Sequence, residues 1–265
     1  MQFIWQQALN PQDVRAVLSL QTKVEETLSV HHKLDLDFAE QKSYAKHLLC
    51  WQGKQLLGYV WATSFDGVEL EATMIVPAEQ AVFDGLFGSI KEYAQTGGFS
   101  ETLFIADTVH SFLWDNLEAA GCARHFSEYY MSLSTEPLAP PVERALPLVK
   151  PKQEDVPQLV QLLGGQPLEE DLERTLVYKE GNQLVACARL DESQGLWGIY
   201  GFVVDQSRRG QGMGRKVFES LLHLIQEQQP AGIYLEVETE NLPAFQLYRS
   251  EGFQVRNQYD YYLMK

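Results

Sequence analysis

Three alternating glycines, Gly210, Gly212 and Gly214, flanked by Arg208, Arg209, Arg215 and Lys216, are the feature of this 265-residue chain that points most directly to chemistry. They follow an apolar stretch ending at Val204. They open a segment whose Val217, Phe218, Leu221, Leu222 and Ile225 share one helical face. Residues without side chains let backbone N–H groups approach an anion, and a helix N-terminus adds a favourable dipole. The arginines bring charge suited to phosphates. The loop therefore reads as a pyrophosphate cradle. Spacing excludes two familiar cradles. A Walker loop needs GxxxxGK followed by Ser or Thr, whereas Gly214 precedes Arg215, Lys216 and Val217. A dinucleotide fingerprint needs GxGxxG, and here the spacing is GxGxG.

Other reactive residue types are sparse. Cys50, Cys122 and Cys187 form no CxxC pair, which fits a reducing compartment better than a disulfide framework. Cys187 lies in Leu184-Val185-Ala186-Cys187-Ala188, the setting of a buried structural thiol rather than a nucleophile. The pair His31-His32 has no partner at metal-ligand spacing, so no metal site is expected. A net charge of −15 argues against non-specific nucleic-acid binding while permitting a cationic substrate such as a polyamine. With 45% apolar and 22% charged residues the composition is that of a soluble globular protein. The first residues lack a basic, then apolar, signal pattern, and no stretch of 18 apolar residues occurs. No membrane association is expected, and the expected location is cytoplasmic.

Stepping outward from the loop, periodicity predicts the elements that hold it. Leu146–Val149 reads as a short strand, and about 154–163 as a helix ended by Gly164-Gly165. Thr175–Lys179 and Leu184–Asp191 read as a hairpin turning at Gly181, and Gly198–Val204 as the strand feeding the loop. Beyond the loop helix come a strand at Ile233–Val237, a helix at Leu242–Glu251 ended by Gly252, and a last strand at Tyr259–Met264. The stretch from Gly164 to Thr175 leaves little material for another helix. Alternating strands and helices imply an α/β fold, a mixed sheet flanked by helices.

The two halves of the chain resemble each other. Gly53 in Cys50–Leu57 matches Gly181 in Tyr178–Val185 at an offset of 128, and Met74-Ile75-Val76 matches Phe202-Val203-Val204 at the same offset. Leu117–Cys122 parallels Tyr248–Phe253, and Tyr129–Leu133 parallels Asp260–Met264, both at 131. The proline-rich stretch between them reads as a linker. The expected organisation is two tandem copies of one domain: 1–136, a linker at 137–147, and 148–265.

The surroundings of the glycine loop carry a family resemblance. Val203-Val204-Asp205-x-x-Arg208-Arg209-Gly210-Gln211-Gly212-Met213-Gly214 resembles the acyl-CoA motif of the GNAT acetyltransferase superfamily, Arg/Gln-x-x-Gly-x-Gly/Ala. Downstream, Leu235-Glu236-Val237-x-x-x-Asn241-x-x-Ala244-x-x-x-Tyr248-x-x-x-Gly252-Phe253 is similar to the family's second motif. The resemblance implies two tandem acyl-CoA N-acyltransferase folds, each a twisted mixed sheet with flanking helices. It implies acetyl-CoA as co-substrate, with backbone groups of Phe202, Val203 and Val204 meeting the pantetheine and polarising the thioester carbonyl. Amides from Arg209 through Gly210, Gln211, Gly212, Met213 and Gly214 to Arg215 would hold the pyrophosphate. Asn241 would bond the pantetheine, Ala244 would leave room for it, and Tyr248 would protonate the departing thiolate. Glu236 stands at the position some members use as base; strand alternation would place Glu238 and Glu240 on its face if the strand extends so far.

In the first copy Ala81–Leu86 replaces Arg209–Gly214, Leu117 replaces Tyr248 and His110 replaces Asn241. That copy resembles a degenerate domain without cofactor chemistry. It is expected to wall the acceptor cleft, with Trp51, Trp61, Phe65 and Trp114 as candidate lining residues. The expected reaction is transfer of acetyl to a primary amine, a small molecule or a peptide N-terminus, by direct attack in a ternary complex. The alternative is a non-catalytic acyl-CoA-binding sensor or regulatory module.

Overall fold

The computed structural model describes residues 1–34, 36, 45–64, 67–133, 145–167 and 169–265. The chain forms two compact units, Met1–Tyr129 with Asn257–Lys265, and Tyr130–Arg256.

The first unit contains strands β1 (Gln2–Gln6), β2 (Ala45–Gln52), β3 (Gln55–Thr63), β4 (Glu69–Ile75) and β5 (Glu101–Asp107). Its helices are α1 (Pro11–Leu28), α2 (Gln80–Gly97) and α3 (Ser111–Ala119). Asn10 starts α1 by accepting the N–H groups of Gln12 and Asp13, with Pro11 in the first turn, where its missing N–H costs nothing. Neighbouring strands from β1 to β4 run antiparallel, and β5 joins β4 in parallel. Alternation along the strands feeds two cores. Leu49, Tyr59 and Ile75 pack with Val17, Leu20 and Val24 of α1. Leu48, Val60 and Met74 pack with Phe83, Leu86 and Ile90 of α2 and Leu113 and Leu117 of α3. Trp51 and Trp61 pack against the first core and Trp114 against the second, while Phe65 lies outside the described residues.

The second unit contains α4 (Val156–Leu163), a single turn α5 (Glu169–Leu172), the hairpin β7 (Thr175–Glu180) and β8 (Gln183–Ser193), and β9 (Leu196–Val204). It continues with α6 (Met213–Gln226), β10 (Gly232–Glu238) and α7 (Leu242–Ser250). β7, β8 and β9 are antiparallel, and β10 joins β9 in parallel. The anticipated apolar face of α6, Val217, Phe218, Leu221, Leu222 and Ile225, is buried throughout. α5 is the short remnant that the Gly164–Thr175 stretch had room for.

Two strands divide their lengths between the units: β6 (Ala123–Leu133) and β11 (Gln254–Met264). In the first unit Tyr259–Met264 pairs antiparallel with Asp107–Thr102, and Tyr262 enters the α2–α3 core. The expected limits follow chain order, whereas Asn257–Lys265, with most of β11, belongs to the first compact unit. Pairing partners far apart in sequence leave no local signature, which is why periodicity found β11 but not its neighbour. The expected linker at 137–147 lies largely outside the described residues. The strand expected at Leu146–Val149 does not form; only Val149 bridges Val177. Pro147 and Pro151 each lack an N–H, so a ladder cannot extend either way. β10 ends at Glu238, and Glu240 sits in the turn before α7, off the face shared by Glu236 and Glu238.

Candidate active site

The geometry of the second unit centres on where β9 and β10 part. Their parallel ladder runs from Leu196–Gly232 to Ile199–Leu235, yet β9 continues to Val204 and β10 to Glu238. A bulge sits at the same level. Cys187 pairs with Val203 and Arg189 with Tyr200, so one residue of β8 opposes two of β9, and Gly201 holds φ +55. A bulge bends its strand and re-aims its residues, and glycine takes a positive φ without the penalty a Cβ would impose.

The two sides of the sheet carry different chemistry here. Toward α6, Phe202 packs on Phe218 at 5.3 Å between ring centres. Phe218 in turn meets Tyr248 of α7 at 4.9 Å and Phe253 at 5.8 Å. Full burial of such a ring contributes roughly 1.5–3 kcal/mol, so this cluster anchors both helices to the strands. Tyr248 is 6% exposed, and among the described residues nothing hydrogen-bonds its hydroxyl. Burial pushes its phenol up to about 12, so it stays protonated at neutral pH. Toward α4, Val203 packs with Leu159 and Leu163. On that side the Tyr200 hydroxyl donates to the Tyr234 hydroxyl at 3.0 Å. Glu236 follows Tyr234 by two residues, hence on the same strand face and nearer the parting.

The glycine loop leaves the end of β9 through a short 3-10 turn, Gln206–Arg208, which Asp205 caps by accepting the Ser207 N–H. Gly210 and Gly212 hold φ +72 and +77, and open space lies where a Cβ would stand. Gly212 caps α6 with no side chain to offer, so by helix geometry the first N–H groups, of Met213, Gly214 and Arg215, lack partners within the helix. A concave set of amides at a helix N-terminus is an anion site. The arginines depart from the sequence expectation. Arg208 pairs with Glu180, Arg215 with Glu251 and with Ser250 Oγ at 2.8 Å, and Arg209 Nε donates to the Val204 carbonyl at 2.9 Å. Each brings charge near the loop, but each side chain already has a protein partner.

Asn241 lies outside the end of β10, where its side-chain oxygen caps α7 by accepting the Ala244 N–H at 3.3 Å. Its amide is exposed, and Ala244 and Tyr248 follow on α7 at helical spacing. Cys187 lies behind the bulge with its Sγ 3.7 Å from the Gly201 carbonyl, and burial pushes the thiol up to about 12. It is a buried thiol, as its apolar neighbours implied. All three cysteines are free and buried. Among the described residues no metal-binding group occurs, and no helix is long and apolar enough to cross a membrane.

On the α4 side a cavity of about 280 Å³ opens against the bulge. Gln166, Asp171, Thr175, Arg189, Tyr200 and Gly201 supply most of its polar wall, and Leu163 and Pro167 much of its apolar one. The sequence reading did not single out Asp171, Arg189 or Tyr200. The available signal was Arg189 and Asp191 within an otherwise apolar strand.

The match to known families follows this geometry. Residues 143–253 match the model of the acetyltransferase (GNAT) family. A search of curated proteins gives no match. Among solved structures, a GCN5-related N-acetyltransferase from Sphaerobacter thermophilus superposes with TM-score 0.72 at 14% identity, over 99% of this chain and 95% of its own. A tandem GNAT protein from the clavulanic acid biosynthesis pathway gives 0.72 at 14% identity, over 99% and 98%. A GNAT-family acetyltransferase from Colwellia psychrerythraea gives 0.62 at 18%, over the full length of both. At such identities these superpositions show the fold along the whole chain, and the family match identifies residues 143–253 as a domain of the acetyltransferase (GNAT) family.

Proposed function

We propose that the second unit is an N-acetyltransferase that moves an acetyl group from acetyl-CoA to a primary amine by direct attack. The observation that carries this reading is the parting of β9 and β10 at the Gly201 bulge, immediately beside the glycine loop. Acetyl-CoA supplies an activated thioester. Amides from Arg209 to Arg215 would hold its pyrophosphate, and the open space at Gly210 and Gly212 fits that role. The backbone of Phe202, Val203 and Val204, past the end of the parallel ladder, would accept the pantetheine and polarise the carbonyl. Asn241 would donate its amide to the pantetheine while its oxygen keeps the helix cap, with Ala244 leaving room alongside.

Glu236 and Tyr248 are reached from opposite faces of the sheet. An amine arriving on the α4 side would lose its proton toward Glu236, while the thiolate leaving on the α6 side takes one from Tyr248. A phenol raised to about 12 keeps its proton, and so stays neutral, across the working range. The three free cysteines agree with a reducing, cytoplasmic setting.

The test is calorimetric titration of acetyl-CoA into the full chain, followed by thiol release in the presence of amines. Tyr248→Phe should lower kcat by about 10²–10⁴-fold and leave acetyl-CoA affinity within about twofold. A wild type that fails to bind acetyl-CoA overturns the proposal. Binding without turnover on any amine supports the alternative, a non-catalytic acyl-CoA-binding module.

A further inference from the structure

The cavity beside the bulge bears on which amine is taken, and this inference rests on the transferase reading above. We propose that it receives a small, hydroxyl-bearing amine of amino-sugar size, and neither a polyamine nor an amino acid.

Size comes first. At about 280 Å³ the cavity falls just below the range of pockets that enclose drug-sized ligands. A single hydroxylated ring fits such a space; an oligosaccharide or folded peptide does not.

Charge comes second. Arg189 Nη1 donates to Asp171 Oδ2 at 2.9 Å, and Arg189 Nε lies 3.3 Å from Asp191 Oδ2. Arg174 Nη1 donates to Asp191 Oδ1 at 2.9 Å. Among the described residues, each carboxylate of this wall therefore faces a guanidinium, and each guanidinium a carboxylate. A polyamine needs surplus carboxylates to replace the water its ammonium groups lose, and an amino acid needs a surplus cation for its carboxylate. Among the described residues the wall offers neither. Beside a largely apolar surface it offers a few donors and acceptors. Gln166 has both kinds, Asp171 keeps its second oxygen, and Arg189 keeps its Nη2 hydrogens. Such a mosaic suits vicinal hydroxyls, which donate and accept at once. Arg189 is itself held in place over the Tyr200 ring, 5.0 Å from its centre, which fixes the direction of those donors.

Gly201 completes the argument because it lines the cavity and forms the bulge. An amine seated among the hydroxyl-binding groups can therefore face the thioester. Its nitrogen forms the bond to the carbonyl carbon, the carbon–sulfur bond breaks, the amine's proton passes to the base, and the thiolate takes the phenol proton.

The experiment compares kcat/KM of the full-length protein at saturating acetyl-CoA for glucosamine, cyclohexylamine, spermidine and an α-amino acid. Glucosamine should exceed each of the others by at least about 30-fold, the scale of a few well-made polar contacts. Gln166→Ala, at an exposed position, should raise KM for glucosamine several-fold more than it raises KM for cyclohexylamine, and equal changes for the two would count against the proposal. Equal or better turnover of cyclohexylamine, spermidine or the amino acid overturns this proposal and leaves the transferase reading standing. Failure to bind acetyl-CoA at all overturns the reading, and the proposal falls with it.

Discussion

The two copies of the domain keep the same frame and differ at the point where chemistry would occur. His110 caps α3 and Asn241 caps α7 with nearly the same backbone, φ −81, ψ 67 against φ −80, ψ 64. Each side chain accepts the N–H three residues on, at 3.3 Å in both. Both helices end the same way, with Gly121 at φ 90 and Gly252 at φ 95, and the next N–H returning to Leu117 or Tyr248. The glycine loop has no counterpart beside this frame in the first copy. α2 starts at Gln80, whose counterpart at the offset of 128 is Arg208, whereas α6 starts only at Met213. The residues of the lost loop have become helix, and Val82, Phe83 and Leu86 are buried core. Gly85 survives because the Phe3 ring would stand 2.0 Å from its Cβ, which is a packing reason and not a phosphate one.

The notch differs as well. Thr73, the counterpart of Gly201, sits in a β4 that pairs with β3 without a bulge, and its parallel ladder with β5 extends through Thr73–Ile105. The segment after α1 then crosses this end of the strands. The His31 N–H donates to Asp107 Oδ2 at 2.8 Å, and Thr73 Oγ1 donates to the Lys33 carbonyl at 2.9 Å. The lesson is that capping and turn positions belong to the shared fold, while the bulge, the loop and the phenol occur in one copy and are separable from it.

This contrast can be broken at several points. The largest effect is expected for Gly212→Glu. A side chain at φ +77 costs about 1–2 kcal/mol, and a carboxylate in the cradle repels phosphate, so acetyl-CoA affinity should fall at least about 100-fold. Calorimetry of the wild type should meanwhile give one site per chain. A second site, or an unaltered variant, would mean that the first copy still binds.

The next effect concerns stability. Burial lowers the imidazoles of His110 and His47 to about 4. Between about 4 and the unfolded value near 6.5 the unfolded chain binds a proton that the folded chain refuses. Stability therefore falls as pH drops through that window, by up to about 3 kcal/mol for each group. His110→Asn keeps a cap of the kind Asn241 provides and removes the titration. Its melting temperature should change less between pH 7 and pH 4.5 than that of the wild type; equal changes would exonerate His110.

The smallest effect is expected for Arg208→Gln. The half-exposed pair with Glu180 contributes at most about 1 kcal/mol, and the guanidinium is already engaged by that carboxylate. Acetyl-CoA affinity should shift less than about threefold, and a larger loss would show that the arginine takes part in binding.

Much of this could be read from residue order alone. The glycine loop, the helix behind it, the hairpin at Gly181, the buried Cys187 and the doubled architecture rest on periods and spacings of a few residues, which local backbone geometry enforces. The equivalence of His110 with Asn241 was legible at the level of counting, and identical caps bear it out. What residue order could not decide depends on partners distant in sequence. Those are the pairing of β11 with β5, the capture of Arg208 and Arg215 by Glu180 and Glu251, the bulge that turns Gly201 into a cavity wall, and the balanced ion pairs among Asp171, Arg174, Arg189 and Asp191. A salt bridge or strand pair has no period of its own. It exists only once packing has brought the two groups together, and only the tertiary structure could reveal it.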